Sequence, residues 1–314
     1  MDKLPNIGRG IEEIAAPTFA AYEDLLKAQE SDIRSVQRET HSYGPHPRHV
    51  LDVYIPEASQ PAQRKKVLVF LHGGGFYAGA RVNEGYAGGL IFTNIGRFFT
   101  ARYGVTVIVP DYRLLSHGAR YPSGGEDVAF VTEWVRTSLA AREGYESIDL
   151  FLLGNSAGGV HVATFLLDSA FEAAREEVLR PDADVRLRGV VLLGTPFHWG
   201  DARDETLRAY LGDDTVFENS PAGRLQAVIQ QGAESRLPRV KVLVLVSELD
   251  PQLMFDTAEE FKQTWQDGDI EIRVLEGHNH LSPQLALGTG IEREEAWGVQ
   301  VAEFLSSSTS NLWG

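Results

Sequence analysis

The sequence predicts an α/β fold, a mostly parallel eight-stranded sheet flanked by helices. Three observations lead there. Short strand-like segments recur along the chain, at 67–71, 105–110, 148–153, 189–193, 240–246 and 270–275, and all but the last are nearly unbroken apolar runs. Runs of this kind suit strands buried on both faces of a parallel sheet. Segments of helical length separate them, and that alternation places helices on both sides of a sheet. Finally, the run 148–153 ends in Gly154-Asn155-Ser156-Ala157-Gly158, and the apolar helical segment 160–167 follows directly.

Composition bounds the function. A chain of 314 residues can bury a large core, and one domain over 1–314 is expected. The net charge of −15 argues against nucleic acid and against an anionic membrane surface, because both select basic patches. The chain has no cysteine, which removes disulfides, thiolate metal sites and cysteine nucleophiles. No apolar run approaches the ~18 residues of a membrane-spanning helix. Met1-Asp2-Lys3-Leu4-Pro5 lacks the charged-then-apolar layout of a secretory signal. The expectation is a cytoplasmic protein with no nucleic-acid or membrane partner. A homodimer is compatible with the sequence.

Taken in order, residues 11–30 carry apolar positions at mixed helical spacing, with Pro17 expected near a helix start. Residues 33–42 and 49–55 alternate around the turn signal Tyr43-Gly44-Pro45, which predicts an antiparallel pair at the sheet edge. The strand 67–71 runs straight into His72-Gly73-Gly74-Gly75-Phe76. A helix is expected over 86–103 and a strand over 105–110. An amphipathic helix is expected over 126–141, with Val128, Val131, Trp134, Val135 and Leu139 on one side. Beyond 148–167 come the strands 189–193, 240–246 and 270–275, then a closing helix over 291–305. In the tail 306–314, Leu312 and Trp313 are candidates for docking.

One connection is too long for a simple crossover. About 40 residues separate the strand ending near Thr195 from the one starting at Val240. They hold helical patches at 204–211 and 222–231. Long insertions in compact domains are usually lids or binding loops, so a cap is expected here, joined by the N-terminal helices.

The turn around Ser156 matches G-x-S-x-G. In a chain with 31 glycines that pattern alone is weak. The flanking strand and helix give it weight, because a nucleophile elbow needs strand, sharp turn and helix in that order. A serine hydroxyl is a poor nucleophile at neutral pH and needs a base, and the base needs a third group to orient it. Such groups follow the serine in chain order acid, then histidine, each on a loop after a strand. The strand 240–246 leads into Ser247-Glu248-Leu249-Asp250-Pro251, so Asp250 is the candidate acid and Glu248 its rival. The strand 270–275 leads into Glu276-Gly277-His278-Asn279-His280, which offers two histidines. A His-x-His pair also suggests a metal, but no third ligand stands at a telling spacing, and none is expected.

An acyl-transfer intermediate needs backbone donors for its negative oxygen. His72-Gly73-Gly74-Gly75 matches the glycine loop that supplies them, so the amides of Gly74, Gly75 and Ala157 are the expected oxyanion hole. A phosphate loop is excluded by the lack of a following Lys-Ser/Thr. Phe76, Tyr77, Phe197, His198 and Trp199 stand beside the hole or past a strand end, and are candidates for lining a substrate pocket.

HGGGF at 72–76, DYRL at 111–114, YPSGGEDV at 121–128, GNSAGG at 154–159 and LDP at 249–251 together resemble the hormone-sensitive-lipase-like branch of the α/β-hydrolase superfamily. The resemblance runs from about Val50 to the C-terminal helix. It implies an α/β-hydrolase fold with a cap built from about 1–32 and 196–238. It implies Ser156 as nucleophile, Asp250 as orienter and His280 as general base and acid, because the family places its histidine three residues after a glycine, here Gly277. The family often has an acidic residue where Asn155 stands. LDVYIP at 51–56 is also similar to the formamidase and carboxylesterase branches.

The leading expectation is a serine-dependent hydrolase acting through an acyl-enzyme on a small to medium, partly apolar ester, with no cofactor. The alternatives are a formamidase or amidase, an acyltransferase, or a natural-product cyclase using the same triad. A ligand receptor on this fold that no longer catalyses belongs to a different class.

Overall fold

The computed structural model describes residues 1–57, 64–202, 204–232, 237–265 and 269–308. Leu312 and Trp313 lie outside these. Among the described residues, eight strands form one sheet: β1 Gln37–Ser42, β2 Val50–Ile55, β3 Lys65–Leu71, β4 Thr106–Pro110, β5 Ile148–Asn155, β6 Val185–Leu193, β7 Lys241–Ser247 and β8 Ile270–Leu275. Their spatial order is β1-β2-β4-β3-β5-β6-β7-β8. From β4 to β8 every neighbouring pair is parallel. The antiparallel pair expected at the edge is there, with β1 on β2 and β2 antiparallel to β4.

Alternate residues of the central strands feed two cores, as the period of two in a strand dictates. Val67, Val69 and Leu71 of β3 face one core, and Leu68 and Phe70 face the other. The first core is closed by α4 Ser123–Trp134, α5 Ala157–Leu167, α6 Glu172–Leu179, α8 Pro221–Gln230 and α9 Gln252–Thr264. The second is closed by α1 Ile11–Ala28, α2 Glu30–Arg34, α3 Thr93–Tyr103, α10 Ser282–Ala286 and α11 Glu292–Ser307. The remaining helix, α7 Glu205–Leu211, belongs to the long insertion.

Two helical expectations need correction. Pro17 does not start a helix; it lies inside the continuous α1. It is exposed, so the carbonyl that loses its partner to the missing N–H faces solvent. The helix expected from residue 86 begins only at Thr93, because Ala87, Gly88, Gly89 and Phe92 all hold positive φ and break the helical path. By contrast, Val128, Val131, Trp134, Val135 and Leu139 are all buried as expected. They lie on α4 and on a π-turn, Val135–Leu139, that extends it.

Candidate active site

At the carboxyl end of β5 the chain reverses into α5 through one residue. Ser156 has φ 51° and ψ −118°, a conformation that side chains rarely adopt. Surrounding contacts hold it there: its N–H donates to the Leu193 carbonyl at 2.8 Å, and its carbonyl accepts from Gly159 at 2.9 Å. The turn is so tight that a Cβ on Gly158 would lie 2.4 Å from the Leu71 carbonyl oxygen, so that position must be glycine. The serine remains partly exposed while Asn155 and Ala157 on either side are buried.

Two further loops meet it. Nε2 of His280 lies 3.0 Å from the Ser156 hydroxyl oxygen, and its Nδ1 lies 2.7 Å from Asp250 Oδ1. A carboxylate can only accept, so Nδ1 carries the proton and Nε2 is free to accept from the serine. Asp250 Oδ2 is itself held by the Ser247 N–H at 2.8 Å. Asp250 is fully buried and His280 nearly so. The arrangement can take a proton from the serine hydroxyl and stabilise the resulting imidazolium.

The rivals are placed elsewhere. Glu248 is exposed, and its Oε2 accepts the Gly277 N–H at 2.6 Å. His278 turns away from Ser156, with Nδ1 2.8 Å from Ser282 Oγ. Burial pushes its pKa down to about 4.

The glycine loop lies beside Ser156, since a Cβ on Gly73 would come within 3.3 Å of its Cβ. Gly74 has φ 133° and Gly75 φ 59°. A Cβ on Gly74 would fall 2.0 Å from the Ala78 carbonyl oxygen. Among the described hydrogen bonds, the amides of Gly74, Gly75 and Ala157 have no protein acceptor. His72 anchors the loop: its Nδ1–H donates to the Gly73 carbonyl at 2.7 Å, and its ring stacks on Tyr112 at 4.3 Å. Burial lowers its pKa to about 4, so the ring is neutral.

Of the expected pocket residues, Phe76 and Trp199 pack in the small apolar cluster that holds Ala157, the residue after Ser156, together with Val160, Leu207 and Tyr210. Phe76 stacks on Tyr210 with centroids 4.3 Å apart. Tyr77 is 62% exposed, and its ring lies over Gly75. Phe197 belongs instead to the first sheet core. It is fully buried and packed on Phe261 at 4.3 Å, because its strand-end position points it under α9. His198 is tied to α9 through Glu260, with Nε2 2.8 Å from Oε2. Tyr210 and Leu207 were not singled out from sequence. Their spacing of three along a helical patch was the available signal.

The family model for the alpha/beta hydrolase fold matches residues 68–281, which carry the glycine loop, the serine turn and the loops of Asp250 and His280. The chain belongs to the α/β-hydrolase family. Its motifs place this α/β hydrolase in the hormone-sensitive-lipase-like branch. It is similar to acetylcholinesterase 1 of Caenorhabditis briggsae, 28% identical over 37% of this chain and 19% of that protein. It is also similar to esterase LipC of Mycobacterium tuberculosis, 27% identical over 54% of this chain and 39% of that protein. This α/β hydrolase thus matches less than half the length of these relatives. Esterase 2 of Thermogutta terrifontis shares the fold at TM-score 0.62 and 21% identity, over 88% of this chain and 97% of that one. Among the described residues, no helix is long and apolar enough to cross a membrane.

Proposed function

We propose that this α/β hydrolase is a serine-dependent carboxylic-ester hydrolase. One observation carries the reading: the unbroken chain of contacts from the Ser156 hydroxyl through His280 to Asp250, beside the amides of Gly74, Gly75 and Ala157. Ser156 attacks the ester carbonyl as Nε2 of His280 takes its proton. The tetrahedral oxygen rests on the three amides. His280 then protonates the leaving alcohol, and the acyl group stays on Ser156. Water, deprotonated by His280, attacks the acyl-enzyme and releases the acid. None of these steps requires a cofactor.

The insertion 196–238 serves as a cap, and its α7 sets Leu207 and Tyr210 against Phe76 to form one wall of the site. With Trp199 beside them the wall is apolar, which suits an acyl or alcohol part of small to medium size. The similar esterase 2 of Thermogutta terrifontis has been captured phosphoramylated by tabun, which supports a nucleophile open to organophosphorus reagents. The test is hydrolysis of a short p-nitrophenyl ester by the wild type and by Ser156→Ala, with labelling of both by a fluorophosphonate. Turnover and labelling confined to the wild type support the reading. Equal rates for the two proteins overturn it.

A further inference from the structure

The loop that carries His280 is built around its neighbour Asn279. The Asn279 side chain is fully buried, and its Oδ1 accepts two amides, Leu281 N–H at 3.1 Å and Ser282 N–H at 3.0 Å. Its own N–H donates to Ser282 Oγ at 3.0 Å. These bonds close a tight ring around His280, which lies between the two ends. With Oδ1 fixed by two donors, Nδ2 must point the other way. There it donates to Thr18 Oγ1 at 2.7 Å.

Thr18 is on α1, 261 residues earlier in the chain, and is fully buried. It belongs to the buried stripe Ile14, Thr18, Tyr22, Leu26. Valine would fill the same volume there without a polar atom to satisfy, so hydrophobic burial gives no reason for a hydroxyl. The hydrogen bond to Asn279 does. The same N-terminal segment also reaches the acid loop. Arg9 donates to the carbonyls of Asp250 at 2.8 Å and Glu248 at 3.1 Å. Further along, Tyr22 donates to Glu294 Oε2 at 2.5 Å and pins α1 to α11.

We infer that Asn279 and Thr18 are positioning residues for His280, and that the N-terminal segment braces both the histidine and the acid loops through Thr18 and Arg9. The segment expected to act as part of a cap thereby becomes part of the catalytic frame. Releasing the Asn279 carboxamide frees the two amides that directly follow His280, and the imidazole drifts from its line between Asp250 and Ser156. This inference rests on the reading of His280 as general base.

The experiment compares wild type, Thr18→Val and Thr18→Ser in two measurements. One is kcat and KM on a p-nitrophenyl ester. The other is the downfield proton resonance of His280 Nδ1–H in its bond to Asp250, which needs no turnover. Thr18→Val is expected to lower kcat by about 10- to 100-fold with KM changed less than about 2-fold, as a small displacement of a catalytic group does. It is expected to broaden the resonance, and Thr18→Ser is expected to restore both. If Thr18→Val does not fold, Arg9→Ala supplies the same readouts from an exposed position, with kcat about 3- to 10-fold lower. Wild-type kcat and an unchanged resonance in the variant tested overturn the inference. An inactive wild type whose resonance still responds to Thr18→Val overturns the esterase reading and leaves the brace standing.

Discussion

Nε2 of His280 lies 3.0 Å from the hydroxyl oxygen of Ser156, although 124 positions separate the two residues in the chain. The parallel sheet makes this meeting possible. β5, β7 and β8 run in the same direction, so the loops that leave their carboxyl ends gather on one edge. Gly194, at the end of the intervening β6, holds φ 53°, and a Cβ there would come within 3.1 Å of the His280 ring. The imidazole passes over that gap to reach the serine.

Replacing Asp250 by asparagine should lower kcat by about 10⁴ at neutral pH with little change in KM. The amide would present a donor to Nδ1 and favour the tautomer whose Nε2 carries the proton, so the serine loses its base. Steady-state kinetics check this. His280→Ala combined with Asp250→Asn should be hardly worse than His280→Ala alone, because the two side chains act as a unit.

Gly74→Ala should cost about 10²–10³ in kcat, the scale of losing one oxyanion donor. The added Cβ would lie 2.0 Å from the Ala78 carbonyl oxygen at a backbone φ of 133°, so the loop has to move. Comparing kcat with KM locates the effect, and a loss seen only in KM would contradict the assignment of these amides.

Phe197 and Trp199 should separate stability from substrate binding. Phe197→Ala empties a fully buried site against Phe261 and should cost about 3–5 kcal/mol in denaturant unfolding, with KM nearly unchanged. Trp199→Ala removes a half-buried ring beside Phe76 and should act mainly on KM for esters with larger acyl groups.

Stability should fall steeply between about pH 6.5 and pH 4. Burial pushes His72, His161 and His278 from 6.5 down to about 4, so all three stay neutral in the fold. Within that window the unfolded chain binds protons that the folded chain does not, and stability therefore rises with pH. Each histidine contributes a loss on the order of 3 kcal/mol across the window as pH drops, and nothing further below it. Denaturant unfolding at a series of pH values measures the slope. His161→Phe should flatten it.

The central strands were legible because burial on both faces leaves an apolar run with few readings, whereas the edge strands β1 and β8 are partly exposed. The serine turn was legible because its backbone demands glycines at set places, as Gly158 shows. Helix ends were less so. The false start at residue 86 and the misplaced role of Pro17 both turn on backbone angles and exposure that composition does not encode. Phe197 reads as a pocket residue because it stands past a strand end beside His198 and Trp199. Its direction is set by α9 packing over it, and no local signal records that.

The sequence by itself determined the sheet, the order of its chemical groups and the residue types needed for acyl transfer, because strand periodicity and turn sterics are local. Only the tertiary structure set His280 rather than His278 beside Ser156, turned Glu248 to the Gly277 amide, and brought Thr18 to Asn279. Those choices depend on which side chains meet across hundreds of residues, and the packing of the whole chain settles that.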